Sequence, residues 1–500
     1  MTDFVLVSPF DRVITSEVPP VALADGVHSK AFEGCGVVVH HSRASDLGLV
    51  LTDRNTVPIS SVDLTISFGA FPCEAHASVE FLHPVHNFAL ISYKVSELSP
   101  AAAGKVRPAR LLSTKVERGD RVNLVGLSSS LQPSHRLSTV TNVAKALSIH
   151  PADVPRFRAV NADTIELDND FGHAFSGILA NDSCEVVALW ASFAKQVKGE
   201  EREFIRGMPS PLMALWIDKV VAGIELRLSS QSDRAGAAPA GPAGGDHCRV
   251  PVLNVEMESV LLAKASTFKL PEHWISTLSA SRESSKKQVL RVKGTVAGSN
   301  ASKLLRAGDM ILSIDGKPAY SFQTVEEIVA KKESSADALK KRKRECEAEA
   351  QSPTFELKVF RSGKEMTVHV EPSFESALGT RRLVHWAGAM LQEPHRAVRE
   401  LGYMPKDTNG VYISRWHHGS PAHRYGLFAL QWIVEINGKP ITSLDNFLDV
   451  VRELKHGGSS QIRCAERKRP SVVVYELTEH ICDDAIRWHM RWQQSMWLSS

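Results

Sequence analysis

The feature that most constrains this chain is an internal repeat: GDMILSIDGKPAYSFQTVEEIV at 308–329 is matched by LQWIVEINGKPITSLDNFLDVV at 430–451. Two copies of one pattern call for two copies of one supersecondary unit, because the same order of apolar and polar residues must bury the same faces. In each copy an apolar run predicts a strand, and Asp315-Gly316 or Asn437-Gly438 predicts a tight hairpin turn. The residues that follow carry helical spacing, with Phe322, Val325, Ile328 and Val329 in one copy and Leu444, Phe447, Leu448 and Val451 in the other expected in the core. Further strands, at 355–360, 365–370 and 471–477, complete the two units.

Upstream the pattern changes. From residue 34 to about 215 there are short apolar runs, VVV (37–39), LVL (49–51), FALISY (88–93) and VNLVGL (122–127), separated by Gly, Pro, Asp and Ser. That spacing predicts an all-β barrel or sandwich. The stretch RAGAAPAGPAGGD at 234–246 offers almost no side chain to bury and reads as a linker.

Charge and cysteine content narrow the function. A formal net charge of +3 over 500 residues gives no field that would make nucleic acid the main partner. Seven dispersed cysteines without a CxxC pair exclude a thiolate zinc site and point to reduced, intracellular thiols, so no metal and no cofactor is expected. No uninterrupted apolar run of about 18 residues is present, so no membrane span is expected, and the first residues lack a secretory pattern.

Three short stretches bear on catalysis: TDRNTV (52–57), HNFAL (86–90) and HAFSGIL (173–179). They resemble the His, Asp and Ser loops of HtrA/Deg serine proteases, which read TNRHVV, HDLAL and GNSGGPL. The resemblance implies Asn55 in place of the base, Asn87 in place of the orienting carboxylate and Phe175 in place of the nucleophile. A carboxamide neither takes a proton near neutral pH nor compensates an imidazolium, so the triad chemistry is lost. The rival reading is an active endopeptidase, in which Ser176 slides into the nucleophile position with His83, His86 or His173 as base. A further route to activity is an N-terminal catalytic half that this chain lacks.

The likeness continues through GVVVHHS (36–42), FLHPVHNFALISY (81–93), AGAMLQEPHRAVREL (387–401) and YISRWHHGSPAHRYGL (412–427). It resembles the C-terminal half of double-length HtrA/Deg-like proteases, as in the fungal nuclear pro-apoptotic protease and the plant double-length Deg protease. The fold so implied is mainly β with α+β modules, a trypsin-like double β-barrel followed by two HtrA-type PDZ domains. The expected division is a degenerate protease domain at 1–225, a linker at 226–250, a first PDZ-like domain at 251–375 with a charged insertion near 333–352, and a second at 376–500 with a Trp-rich tail. The implied role is a regulatory or peptide-binding scaffold in protein quality control. Its partners would be peptides, unfolded segments, an active HtrA/Deg-like protein or a second copy. Nucleus or cytoplasm is the expected compartment, with a plastid if an N-terminal half precedes the chain.

A PDZ groove takes a peptide as an added strand, with loop N–H groups holding its carboxylate. In the second module that loop would be Trp386, Ala387, Gly388, Ala389 and Met390. The first module has LNVEME (253–258) there, where Glu256 and Glu258 would repel a carboxylate. A groove filled from within the chain is the competing expectation for both. The basic run Lys340, Lys341, Arg342, Lys343 and Arg344 suits either a nuclear-import signal or a solvated helix face. Trp488 and Trp492 at i, i+4 predict a helical stripe packed on its own domain.

Overall fold

The computed structural model describes residues 12–68, 71–127, 133–169, 177–232, 249–280, 287–330, 332, 354–405, 410–454, 460–466, 473–477 and 486–489. Phe175, Ser176, His173, the 340–344 basic run and Trp492 lie outside them.

The first layer contains β1 (Arg12–Glu17), β2 (Ala31–Cys35), β3 (Val37–Ser42), β4 (Leu47–Thr52), β5 (Asp63–Phe68), β6 (Phe71–Leu82) and β7 (Ala89–Tyr93). They form a seven-stranded antiparallel sheet in the order β2-β1-β5-β6-β7-β4-β3, whose two end strands adjoin in sequence through Gly36. β5 shows the alternation of a half-buried strand, with Leu64, Ile66 and Phe68 inward, whereas every residue of β4 is buried.

A closed barrel follows, in the order β10-β13-β12-β11-β8-β9, from β8 (Arg121–Leu127), β9 (Pro133–Ala146), β10 (Asp163–Leu167), β11 (Gly177–Ala180), β12 (Val186–Val197) and β13 (Glu200–Pro209). A half-barrel beside a six-stranded barrel is the trypsin-like arrangement that the loops implied. The helix Ser210–Ser232, which runs beyond the expected boundary at 225, joins the two. Its Met213, Trp216, Val220 and Ile224 enter one apolar core with Phe81, Phe88, Ile178 and Phe193, and the Trp216 ring stacks on Phe81 at 5.4 Å. Burial on this scale, about 1.5–3 kcal/mol per large side chain, makes the two layers one body.

Beyond 248 the two repeat copies appear as two sheets. The first has the order β15-β16-β17-β19-β20, from β15 (Val255–Leu261), β16 (Gln288–Thr295), β17 (Met310–Ile314), β19 (Phe355–Arg361) and β20 (Lys364–Val370), with β18 (Lys317–Pro318) beside β17. β14 (Arg249–Val252) pairs with β21 (Ser373–Ser376) as a two-stranded ribbon at its base. The second runs β28-β27-β25-β24-β23-β22-β29, from β22 (Arg382–Trp386), β23 (Ala389–Gln392), β24 (Val411–Trp416), β25 (Gln431–Ile436), β27 (Ser460–Glu466), β28 (Val473–Leu477) and β29 (Ile486–His489), with β26 (Lys439–Pro440) beside β25.

The repeat behaves as its sequence predicts. Asp315-Gly316 and Asn437-Gly438 both adopt positive φ, the backbone that a two-residue hairpin turn requires and that glycine takes without penalty. Ser321 and Ser443 accept hydrogen bonds from the backbone N–H three residues on, starting the helices at 322–330 and Leu444–Arg452. All eight helix residues named above are buried. The tail differs from expectation: 486–489 is a strand paired with β22, Leu383 opposite Trp488, rather than a helical stripe. Pairing with an otherwise open sheet edge satisfies a row of backbone groups, which local helical spacing cannot outweigh.

Candidate functional site

Asn55 and Asn87 sit on the turns that leave β4 and enter β7, as the loop comparison placed them. Asn87 is buried, and both ends of its amide are committed: Oδ1 accepts the Arg54 N–H at 2.9 Å, and Nδ2 donates to the Ser192 carbonyl at 2.5 Å. Asp53, equally buried, accepts the Thr56 N–H at 2.8 Å and the Ser192 N–H at 3.0 Å. Burial raises the Asp53 pKa, and these hydrogen bonds pull it back only in part. Both side chains therefore tie the turns of the half-barrel to β12 of the closed barrel. They are a clamp across the domain: both ends of the Asn87 amide and both Asp53 oxygens are hydrogen-bonded to the adjacent turn or to Ser192.

The two nearby histidines are not surface residues, contrary to their loop-like sequence context. His83 and His86 are each 1% exposed, their rings 4.7 Å apart. His83 Nδ1 accepts the N–H groups of Val85 at 3.2 Å and His86 at 2.9 Å, so its one basic nitrogen is occupied. Burial, followed by the charges of His86, Arg54 and Arg396, holds its pKa well below the usual imidazole value. A neutral imidazole with its acceptor nitrogen filled is a poor candidate for the base that Ser176 would need. His86 Nε2 lies 3.3 Å from Glu326, on the helix of the first module.

The proposed carboxylate loop of the second module is a closed hairpin. Ala387 and Gly388, both at positive φ, turn β22 directly into β23, with Trp386 opposite Ala389 and His385 opposite Met390. The turn carbonyls accept from Ala422 N–H at 2.9 Å and His417 N–H at 2.8 Å. Gly388 has no room for a side chain, since a Cβ there would fall 2.1 Å from that of Ser420. β23 pairs with β24 on one side and β22 on the other, so the edge where a peptide strand would add is already taken. Trp386, fully buried, meets Phe447 of the repeat helix edge-on at 5.4 Å, and Arg382 pairs with Asp445 on the same helix. β22 is thus a strand of the sheet itself, paired with β23 and β29 and packed on the repeat helix through Trp386.

The first module is closed by a different device. β15 pairs with β16 on one side only. On the other, the Asn161 amide donates to the Val255 carbonyl at 2.7 Å and accepts the Met257 N–H at 2.8 Å, reproducing one peptide unit of an added strand. Asn161 reaches this edge from the barrel domain in the left-handed conformation that Asn tolerates (φ 51°). Beside it Arg158 binds Glu256 through both terminal nitrogens, at 3.0 and 2.5 Å, and places its Nε 3.3 Å from Glu400 of the second module. Lys293 adds a second cation on Glu256 at 2.7 Å. Glu256 is therefore a neutralised junction between domains rather than a source of repulsion. Arg396 and Arg399 extend the network to Glu375, so barrel and both modules share one set of partly buried ion pairs.

Sequence reasoning missed Asp53, Arg158 and Asn161. Asp53 stood one residue before Arg54 within a quoted loop. Arg158 and Asn161 carried no motif, because their partners are about 95 residues away.

Residues 377–457 match the model of a PDZ-like domain. Among curated proteins the chain is 41% identical over 473 residues to Protease Do-like 7 of Arabidopsis thaliana, covering 93% of this chain and 41% of that protein. It is 28% identical over 457 residues to Pro-apoptotic serine protease NMA111 of Eremothecium gossypii, covering 90% of this chain and 41% of that one. The chain thus spans about two fifths of the length of these relatives. Among solved structures, the HtrA-type protease AlgWS227A with decapeptide is 14% identical with a TM-score of 0.39, covering 73% of this chain and 93% of that one. The stretch shared with these two curated relatives and the PDZ-like match at 377–457 identify the chain as a homologue of HtrA/Deg-type serine proteases that carries a PDZ-like domain.

Proposed function

We propose that this chain is a non-catalytic member of that group, a regulatory scaffold in which a degenerate protease domain (1–225) carries two PDZ-like modules (251–375 and 376–500). The observation that carries this reading is the Asn87 amide, whose two ends are spent on Arg54 and Ser192 where an active enzyme needs a carboxylate facing a histidine. The scaffold acts in protein quality control, on peptides, on unfolded segments or on an HtrA/Deg-like partner. A peptide strand must compete with β22 at β23 and with the Asn161 amide at β15, so binding is coupled to opening of the molecule. An intracellular location, nucleus or cytoplasm, fits the seven dispersed cysteines, which form no CxxC pair.

Labelling of the purified full chain with a fluorophosphonate probe, read by mass spectrometry, tests the reading. No adduct is expected; covalent capture at Ser176 would overturn it. The second reading, proteolysis by a longer protein containing these domains, is favoured by the 41% coverage of the relatives. A transcript encoding an upstream loop with an intact nucleophile would establish it.

A further inference from the structure

A cleft of about 420 Å³ lies where the half-barrel, the closed barrel and the second module meet. Seven arginines and four carboxylates line it. The acids are largely spent. Glu400 holds Arg158 and Arg396, Glu375 holds Arg396 and Arg399, and Asp25 accepts from Thr380 at 2.7 Å and Gln392 at 3.2 Å.

Arg54 is the exception. It is 9% exposed, and its terminal nitrogens donate only to the carbonyls of His83 and Pro58, each at 3.0 Å. Its guanidinium lies 3.6 Å over the Phe157 ring, and its Nε has no partner. No carboxylate among the described residues comes within 4 Å of it. Burial accordingly pushes its pKa down to about 9, with distant Asp25 the opposing influence. A buried guanidinium left without a counterion is costly, and a matching oxyanion recovers part of that cost through charge-assisted, paired hydrogen bonds. Arg249 and Arg381, both exposed, stand at the rim of the same cleft and add to its field.

We propose that this cleft is a binding site for an oxyanion, a carboxylate or phosphate group carried by a small ligand or a chain end, with Arg54 at its floor. The site stands independently of whether the protease-like domain is inactive.

Titration calorimetry of the full chain with inorganic phosphate, with an N-acetylated tripeptide bearing a free C-terminus and with the same tripeptide as its amide tests this. Saturable binding of phosphate or of the free-acid peptide, weakened by salt, is expected; which of the two binds identifies the source of the anion. Arg54→Gln should weaken binding about tenfold or more. Because Arg54 also holds two backbone carbonyls, the exposed Arg249→Glu and Arg381→Glu variants serve as independent tests and should each weaken binding about fivefold or more, with circular dichroism unchanged. Absence of binding by both anions, equal binding of the amide, or unaltered affinity in the rim variants would overturn the proposal.

Discussion

Replacing Arg158 by Met should loosen the first PDZ-like module from the barrel without unfolding either. The side chain is 5% exposed and makes four contacts: two with Glu256, one with Glu400 and one with the Ile149 carbonyl at 2.9 Å. Removing one partner of a buried ion pair commonly costs about 3–5 kcal/mol, mainly through the charge left behind. Here the abandoned acids keep other cations, Lys293 on Glu256 and Arg396 on Glu400, and Glu256 is one-fifth exposed, which reduces the expected cost to about 2 kcal/mol. The Met257 N–H reports on it directly, because it donates across the interface to Asn161, three residues from Arg158. Hydrogen exchange of peptides covering β15 should accelerate about 30-fold, the equivalent of that energy. In a double-mutant cycle with Glu256→Gln, the coupling should exceed about 1 kcal/mol. A change in exchange below about threefold, or additive single effects, would refute the idea that this network docks the module.

Acid should release the same contacts. Burial alone would raise the pKa of Glu256 and Glu375, but their arginine and lysine partners outweigh it and the net shift is downward. Folded-state values below the unfolded ones mean that docking is intact above the usual carboxylate range and is lost as pH falls through the folded values, which small-angle scattering would register as expansion. His83 gives a second pH effect with a separate window: its depressed pKa means that the unfolded chain binds a proton first, so stability should fall below about pH 6.5 by up to about 1.4 kcal/mol per unit. Denaturant titrations of His83→Phe should lose that slope, and retention of it would assign the slope elsewhere. Phe447→Ala should cost about 3–5 kcal/mol and free β22, since it removes the ring against which Trp386 packs; unchanged thermal stability would contradict a closed groove. Gly177→Ala should destabilise by at least about 1–3 kcal/mol, because its Cβ would fall 2.2 Å from the Val125 carbonyl oxygen, and a normal melting temperature would show that the barrel yields there.

Much of the architecture is legible in the sequence because it is local. The two GKP-containing repeats announce a strand, a positive-φ turn and an amphipathic helix, and each of these depends on residues within about ten positions of one another. The loops around Asn55 and Asn87 were located by their resemblance to the His and Asp loops of HtrA/Deg proteases, and both residues lie on turns, one after β4 and one before β7. The sequence also showed, by residue type alone, that no base stands at 55 and no carboxylate at 87.

What those residues do instead was decided only in three dimensions. Asn87 and Asp53 become a clamp because β12, about 100 residues or more downstream, passes beside them and presents both polar groups of the Ser192 backbone. Whether a peptide edge is open depends on which strand pairs beside it, and strand partners far apart in sequence leave no local periodicity to read. So β22 pairs beside β23 in the second module, Asn161 caps the edge of β15 in the first and the tail pairs as a strand. Arg54, an ordinary cation in the sequence, becomes a buried charge without a counterion only when the half-barrel, the closed barrel and the second module close around it.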